Sequence, residues 1–197
     1  MTHKKTVIAV GGVTCAGKST LMQALAQMPH FGTIEVGKEM RKRYPPEFFK
    51  GKAAMKETEE EVWQIFDEQY KKHLRDPDCA AIFSDGQPRL PSQVYRMYNM
   101  IGPYNFIMMH ASRERLERRA RQRSTDQGNL DLALARITND NAQLYEVLLE
   151  YHHLQIGRAR TLYTDNLNTE EAKVEFLKLV YDLHPWVLTY GSRNGKA

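Results

Sequence analysis

Short β-branched and apolar runs alternate with longer amphipathic segments along this chain of 197 residues. Five runs have the length and composition of buried strands, namely Thr6–Val10, Phe31–Val36, Ala80–Ser84, Asn105–His110 and Arg160–Thr164. Apolar side chains recur at helical spacing over Ser19–Gln27, Ala54–Leu74, Pro91–Met100, Ser112–Arg123, Leu130–Ile156 and Thr169–Leu183. Strands that are followed by long helices are typical of βαβ units. The pattern therefore predicts an α/β fold with a five-stranded parallel sheet and helices on both faces.

Three stretches interrupt this alternation. The first, Lys38–Lys56, contains the adjacent Pro45 and Pro46, and we interpret it as a small excursion from the core. The second, Ser124–Asn129, is polar, contains a glycine and lies between two charged helices, which suits a short lid. From Gly191 onward the chain has nothing to bury. We therefore expect one domain over residues 1–190, with a helical excursion over 38–74 and a lid region over 120–136, followed by a loose tail over 191–197.

Composition and charge exclude several classes of protein. Hydrophobic residues make up 42% and charged residues 26%, so the chain is neither disordered nor fibrous. The net charge of +4 suits phosphate-bearing partners but does not by itself indicate a nucleic-acid binder. No apolar run approaches the roughly 20 residues that span a bilayer, and the run after Lys5 is too short for a signal peptide. The two cysteines, Cys15 and Cys79, cannot form a disulfide framework. We expect a cytoplasmic protein without membrane contact.

The segment Gly12–Ser19 matches the pattern G-x-x-x-x-G-K-[ST] at every defined position. It directly follows the first strand candidate and begins the first helix, which is the context that its chemistry requires. Its glycines let the backbone curl until successive N–H groups point at phosphate oxygens, and the helix N-terminus adds partial positive charge. Lys18 reaches the β- and γ-phosphates, and the Ser19 hydroxyl can ligate Mg²⁺. The motif predicts a nucleotide site formed by Gly12, Thr14, Cys15, Ala16, Gly17, Lys18, Ser19 and Thr20.

A second segment with candidate chemistry, Asp85–Arg89 (DGQPR), follows the strand candidate Ala80–Ser84. An Asp at the carboxyl end of a buried parallel strand lies beside the phosphate loop, where it can hold the water shell of Mg²⁺. Gly86 and Pro88 turn the chain sharply, so the Arg89 guanidinium is expected to point back into the cleft. The alternative interpretation is a strand-ending turn with a solvated arginine.

With these two motifs the sequence resembles the nucleoside monophosphate kinases, the adenylate kinase group above all. That family carries Asp-Gly-Phe-Pro-Arg after its third strand, and here Gln87 stands in the place of the Phe. Four residues after the arginine the family has a glutamine that reads the acceptor base, and Gln93 lies at that offset. The family's Ser-Thr-Gly-Asp-x-x-Arg pattern is echoed at 35–41, where Gly37 and Arg41 keep their places. The resemblance implies that Arg41 and Arg89 bind the acceptor phosphate.

The resemblance extends over most of the chain, from residue 7 to about residue 180. Ser112–Arg123 is similar to the family's helix that enters the lid, which implies that Arg119 and Arg123 face the donor phosphates. Arg136 in the following helix resembles another arginine that closes the lid. Tyr163–Asn168 resembles the loop that holds the donor base.

The sequence departs from the family's pattern around the acceptor. Val36 stands where the family has an acceptor-binding Thr, and Glu35 and Lys38 replace the neighbouring Ser and Asp. An acidic pair common in the family's second lid helix is not clearly present. These changes predict a remodelled acceptor pocket, compatible with a nucleotide other than AMP, such as a deoxynucleotide or one with a modified base.

The chemistry of phosphoryl transfer explains why arginines would be needed at these places. The reaction spreads negative charge over the transferring group, and arginine stays charged and holds phosphate through two hydrogen bonds. We therefore expect transfer of the γ-phosphate of ATP to a nucleoside or deoxynucleoside 5′-monophosphate, with Mg²⁺ as the metal and no covalent nucleophile or dedicated histidine base. The expected catalytic residues are Lys18, Arg89, Arg119, Arg123 and Arg136. The expected acceptor site comprises Gly37, Arg41, Asp85, Arg89 and Gln93, and the expected metal ligands are Ser19 and Asp85.

Two other functions remain open at this stage. The basic and aromatic residues of 38–56 could form a platform for single-stranded nucleic acid, which would make the protein a kinase of a hydroxyl on a DNA end or a modified base. A nucleotide-binding switch or regulatory ATPase module would also use the phosphate loop, although no Asn-Lys-x-Asp motif of GTPases occurs. The sequence does not distinguish a monomer from a dimer.

Overall fold

The computed structural model describes residues 5–45, 58–124 and 127–185. These ranges contain five strands, which are β1 (Thr6–Gly12), β2 (Phe31–Ile34), β3 (Ala81–Asp85), β4 (Asn105–His110) and β5 (Ala159–Tyr163). They also contain seven helices, which are α1 (Lys18–Leu25), α2 (Val36–Arg43), α3 (Glu59–Arg75), α4 (Pro91–Ile101), α5 (Arg113–Arg123), α6 (Gln127–His153) and α7 (Thr169–Leu183).

All five strands are parallel and form one sheet in the order β2–β3–β1–β4–β5. The central strand β1 pairs Ile8 with Phe83 of β3 and Ala9 with Phe106 of β4. The chain thus fills one side of β1 with β2 and β3 and the other side with β4 and β5. In open parallel sheets, ligands bind outside the carboxyl ends of the strands at such a reversal. The phosphate-loop motif begins at this point, at the end of β1.

Helices cover both faces of the sheet. On one face α1 packs against α7, and the ring of Phe83 lies 5.8 Å from that of Phe176 in α7. On the other face α4 packs against α6, and the ring of Phe106 lies 5.7 Å from that of Tyr151 in α6. All four rings are fully buried. The predicted α/β fold with a five-stranded parallel sheet and helices on both faces is confirmed, and the arrangement is consistent with the three-layer fold of P-loop NTPases.

The ends of several strands differ from the sequence prediction. β2 ends at Ile34, two residues before the predicted end, because Val36 already begins α2, the first helix of the excursion that was expected over 38–74. β3 runs through Asp85, so this carboxylate belongs to the strand and not to the turn. β5 ends at Tyr163, one residue before the predicted end. The pattern of apolar residues marks the buried middle of a strand and leaves its last residue undefined.

The predicted lid loop 124–129 is shorter than expected, because α6 begins at Gln127. The Gln127 side chain donates a hydrogen bond of 2.7 Å to Asp131 one turn later, which stabilises this polar first turn. Residues 125–126 of this loop lie outside the described residues, as do 46–57 of the excursion and the tail from Gly191. Within the described ranges no helix has both the length and the apolar character needed to cross a membrane.

Candidate active site

The phosphate-loop motif forms a tight turn between β1 and α1. Gly12 has φ 148°, and a Cβ atom there would lie 2.5 Å from the carbonyl oxygen of Met109, so this position requires glycine. Cys15 adopts the left-handed conformation with φ 69°, as does Gly17 at the N-cap of α1 with φ 100°. Backbone in alternating right- and left-handed conformations turns successive N–H groups toward one point. The left-handed residues at positions 15 and 17 are the element of this loop that such anion-binding turns share.

Lys18 begins α1 and turns its side chain back along the loop. Its Nζ donates to the carbonyl oxygen of Val13 at 3.0 Å and to that of Gly12. Burial, together with the nearby positive charge of Arg89, lowers the pKa of Lys18 to about 8 from its ordinary 10.5. Asp85 and Asp140 act in the opposite direction. The predicted phosphate ligand thus lies within the loop, with its charge poorly solvated.

An acidic side chain from α6 also lies on the phosphate loop. The Oδ2 atom of Asp140 accepts a hydrogen bond of 2.9 Å from the backbone N–H of Thr14 and another from the Thr14 hydroxyl. Cys15 directly follows Thr14 in the turn, and Gly12 lies two residues before it at the end of β1. Ser19, in the first turn of α1, is exposed. One N–H of the cradle is therefore bonded to a carboxylate.

Arg119 of α5 connects the phosphate loop to the loop after β5. Its Nη2 donates to the Thr164 carbonyl oxygen at 2.8 Å, and its Nη1 donates to the Thr164 hydroxyl at 3.1 Å and to the Cys15 carbonyl oxygen at 3.3 Å. Burial and the neighbouring Arg123 lower the pKa of Arg119. The sequence prediction placed Arg119 near the donor site, and the structure brings it against the loop itself.

The other two predicted lid arginines are more exposed. Arg123 is the last residue of α5. Burial of the Cys15 thiol raises the pKa of that thiol, and the positive charge of Arg123 acts to lower it. Arg136 is an exposed residue of α6, one turn before Asp140. Both arginines therefore lie on the elements that border the phosphate loop.

Asp85 lies at the carboxyl end of β3, next to the loop. It pairs in the sheet with Val10, two residues before Gly12. Burial raises the pKa of the Asp85 carboxyl, while Lys18 and Arg89 act to lower it. The turn after Asp85 is fixed to β1 by a hydrogen bond of 2.9 Å from the Gly86 N–H to the Val10 carbonyl oxygen.

Two arginines converge on one glycine beyond Asp85. A Cβ atom on Gly37, in the first turn of α2, would lie 3.4 Å from Nη1 of Arg41 and 3.9 Å from Nη2 of Arg89. Arg89 is held in this orientation by a hydrogen bond of 2.9 Å from its Nε to the Gly86 carbonyl oxygen. Gly86 has φ 72°, and a Cβ there would lie 3.1 Å from Nη2 of Arg89. The two glycines therefore leave room for the guanidinium groups of these two exposed arginines.

Two glutamines near Arg89 in the sequence, Gln87 and Gln93, are buried. Gln93 is buried, and its Oε1 accepts a hydrogen bond of 2.8 Å from the Arg89 backbone N–H. Gln93 thus fixes the turn that carries Arg89, a positioning contact that the sequence did not predict. Gln87 is also buried, and among the described residues its Oε1 has no hydrogen-bond partner. A buried amide oxygen in this condition is an available acceptor.

The residues present fit a magnesium nucleotide. No group of three or more His, Cys, Asp or Glu side chains suited to a metal occurs within the described ranges. Magnesium on a nucleotide needs fewer protein ligands, because phosphates and waters supply most of its coordination. Ser19 in the first turn of α1 and the Asp85 carboxylate are the side chains of the required type beside the glycine cradle.

Two residues of this site were not singled out from the sequence, although one of them, Thr164, lies in the segment Tyr163–Asn168 that resembles the donor-base loop. Asp140 is a single carboxylate on a long helix, and its only sequence signal is its position one turn after Arg136. Thr164 is 2% exposed, and its hydroxyl donates to the carbonyl oxygen of Ala16 or His110, both at 3.3 Å. The sequence contains no local pattern that marks either contact.

In comparisons with known proteins, no family model and no curated protein matches the chain.

Proposed function

We propose that this protein is an ATP-dependent phosphotransferase that transfers the γ-phosphate of ATP to a nucleoside or deoxynucleoside 5′-monophosphate. The observation that carries the proposal is the pair of anion sites at one edge of the sheet. One is the glycine cradle with Lys18, and the other is the space beside Gly37, close to guanidinium nitrogens of both Arg41 and Arg89. Asp85 lies between them at the end of β3 and interacts electrostatically with Lys18, Arg89 and Arg41.

Each set of residues has a distinct part in the reaction. Arg41 and Arg89 hold the acceptor phosphate, one oxygen of which attacks the γ-phosphorus of ATP. The bond from that phosphorus to the β–γ bridging oxygen breaks, and ADP leaves with the electron pair. Lys18 and the loop N–H groups neutralise the charge on the transferring group and on the leaving phosphates, which is the main requirement of phosphoryl transfer.

Residues around the donor would complete the site. Arg119 contacts the phosphate loop, Arg123 acts electrostatically on its Cys15, and Arg136 lies on α6, which contacts the loop through Asp140; all three would add positive charge on the donor side. Ser19 and Asp85 would hold Mg²⁺, which supplies charge neutralisation of the β- and γ-phosphates when bound. Gln93 keeps Arg89 in place, and Gln87 offers an acceptor oxygen near the turn.

The function agrees with the expected location of the protein. Cys15 and Cys79 are free thiols, as in proteins of a reducing compartment. We therefore propose that the enzyme acts in the cytoplasm on small nucleotides and without a membrane partner.

The decisive experiment offers all ribo- and deoxynucleoside monophosphates, one at a time, with ATP and Mg²⁺, and follows ADP formation and the phosphorylated product. We expect one or a small group of monophosphates to be converted to diphosphates. Arg89→Ala should raise the KM for that acceptor by about 100-fold, the loss expected for a bidentate charged contact, and leave ATP binding within about twofold.

Arg113→Ala is the matched control, because Arg113 is exposed and pairs with Glu117 on the surface of α5. It should leave both substrates unaffected. ATP hydrolysis without any phosphorylated acceptor, or equal losses of ATP binding in Arg89→Ala and Lys18→Ala, would contradict the proposal.

A further inference from the structure

The contact between Asp140 and the phosphate loop joins two parts of the chain 126 residues apart. The carboxylate accepts the Thr14 N–H at 2.9 Å, together with the Thr14 hydroxyl. Its charge also acts on the Lys18 amine and the Cys15 thiol of the same loop. A carboxylate oxygen and a phosphate oxygen are both anionic acceptors, so they compete for the same N–H donor.

The position of Asp140 is fixed by the core. Ile137 and Leu144, about one turn to either side on α6, are 4% and 7% exposed. Helix α6 packs against β1, and an added Cβ on Gly11 would lie 3.2 Å from Leu144. The core therefore holds the backbone of this turn of α6 beside the loop, which keeps the carboxylate within reach of Thr14.

We propose that Asp140 is an internal competitor for the donor phosphate, displaced from Thr14 when a polyphosphate enters the loop. The inference rests on the proposed function, in which this loop binds the donor. Displacement removes both hydrogen bonds from Thr14 to Asp140 and loosens the first half of α6, in which Ile137 is the one residue described as buried. Because Arg136 lies one turn from Asp140, this local loosening lets the arginine change its position relative to the bound donor.

The test measures binding of tripolyphosphate, which carries the anion chemistry without a base, to the wild type and to Asp140→Asn and Asp140→Ala. Asp140→Ala removes the competitor, so we expect it to bind tripolyphosphate about tenfold more tightly than the wild type. Asp140→Asn keeps the shape and loses the charge, and it should fall between the two. Glu146→Gln is the control, because it removes one negative charge from an exposed position of the same helix, as Asp140→Asn removes one at the loop. It should leave tripolyphosphate binding unchanged.

Hydrogen exchange separates displacement from simple charge repulsion. We expect tripolyphosphate to increase backbone exchange in the first half of α6 in the wild type and to leave it unchanged in Asp140→Ala, where both hydrogen bonds from Thr14 are already absent. Equal or weaker binding by both Asp140 variants would overturn the inference. Tighter binding without a ligand-dependent change in α6 exchange of the wild type would also overturn it.

Failure of the proposed function is recognisable separately. If the Asp140 variants bind tripolyphosphate as expected while no nucleoside monophosphate is phosphorylated, the competition stands and the assigned reaction does not.

Discussion

The buried amine of Lys18 lowers the stability of the folded protein while it carries its charge. Burial and the charge of Arg89 lower its pKa to about 8, whereas an unfolded chain has the ordinary value of 10.5. Between these two values the unfolded state binds more protons than the folded state, so the free energy of unfolding rises with pH through this interval. Below pH 8 the folded protein carries the full destabilisation of the buried charge.

Replacing this charge should therefore stabilise the protein on its own. At pH 7 we expect Lys18→Met to increase the free energy of unfolding by at most about 3 kcal/mol, reduced by the loss of the hydrogen bonds to the loop carbonyls. The advantage should shrink as the pH rises from 8 to 10.5. Urea denaturation at several pH values measures it, and ATP binding should be lost in the same variant.

Lys72→Met provides the comparison, because Lys72 is exposed in the last turn of α3. It should change stability by less than about 0.5 kcal/mol at every pH. A Lys18→Met variant less stable than the wild type at pH 7 would show that the amine is stabilising where it lies.

Residues whose role depends on local backbone could be predicted from the sequence. The spacing of Gly12, Gly17 and Lys18 was enough to predict the turn, the start of α1 and the position of the amine, because all three lie within eight consecutive residues. Asp140 and Thr164 could not be predicted, since their contacts depend on how α6 and the end of β5 pack against the loop.

At the scale of elements, α7 shows how a helix begins next to the candidate site. Asn168 is its N-cap, and its side chain accepts the Glu171 N–H at 3.0 Å. The Glu171 carboxylate accepts the Asn168 N–H at 2.8 Å, which completes a capping box. This element directly follows the loop that carries Thr164, so its start determines where that loop ends.

Removal of the cap should weaken α7 without changing the chemistry. We expect Asn168→Ala to lower the free energy of unfolding by about 1 kcal/mol, because one N–H of the first turn loses its acceptor. Asn168→Asp retains an acceptor at the N-terminus and should stay within about 0.5 kcal/mol of the wild type. Urea denaturation distinguishes the two, and equal losses in both variants would argue against the cap.

The elements themselves could be predicted with different success. The helices over 59–75, 91–101 and 169–183 follow their apolar spacing closely. The bounds of helix α2 could not be predicted from apolar spacing, because five of its eight residues are charged. The helix is held in place by the buried side chains of Val36 and Met40. The sequence around 35–41 therefore indicated a ligand site and a helical excursion from residue 38, but not that the helix already begins at Val36.

For the whole molecule, strand order decides which residues meet. The parallel sheet could be predicted from alternating strands and helices, but pairing of β1 with both β3 and β4 is a long-range property of the chain. That order places the ends of β1 and β3 side by side, and so brings the phosphate loop next to Asp85 and Arg89. The two anion sites of the proposed enzyme are a consequence of this pairing.

The distribution of charge bears on the rival interpretation as a nucleic-acid kinase. In the described part of the basic stretch, Lys38 pairs with Glu35 and Lys42 with Glu39. Arg43 and Tyr44 both bind Glu61 of α3. These groups are thus partly neutralised within the protein, whereas Phe48, Phe49, Lys50, Lys52 and Lys56 lie outside the described residues.

Salt dependence distinguishes the two acceptors. A mononucleotide offers one phosphate group to Arg41 and Arg89, so we expect the acceptor KM to change by less than about threefold between 50 and 200 mM KCl. A strand that makes 6–10 phosphate contacts would lose about 10³- to 10⁵-fold in affinity over the same range, because each contact releases counterions. Steady-state kinetics with the best monophosphate give the first value, and competition by a single-stranded oligonucleotide gives the second. If the oligonucleotide bound more tightly than the monophosphate at 50 mM and lost that advantage steeply with salt, the acceptor would be a polymer, since two converging arginines do not produce such a slope.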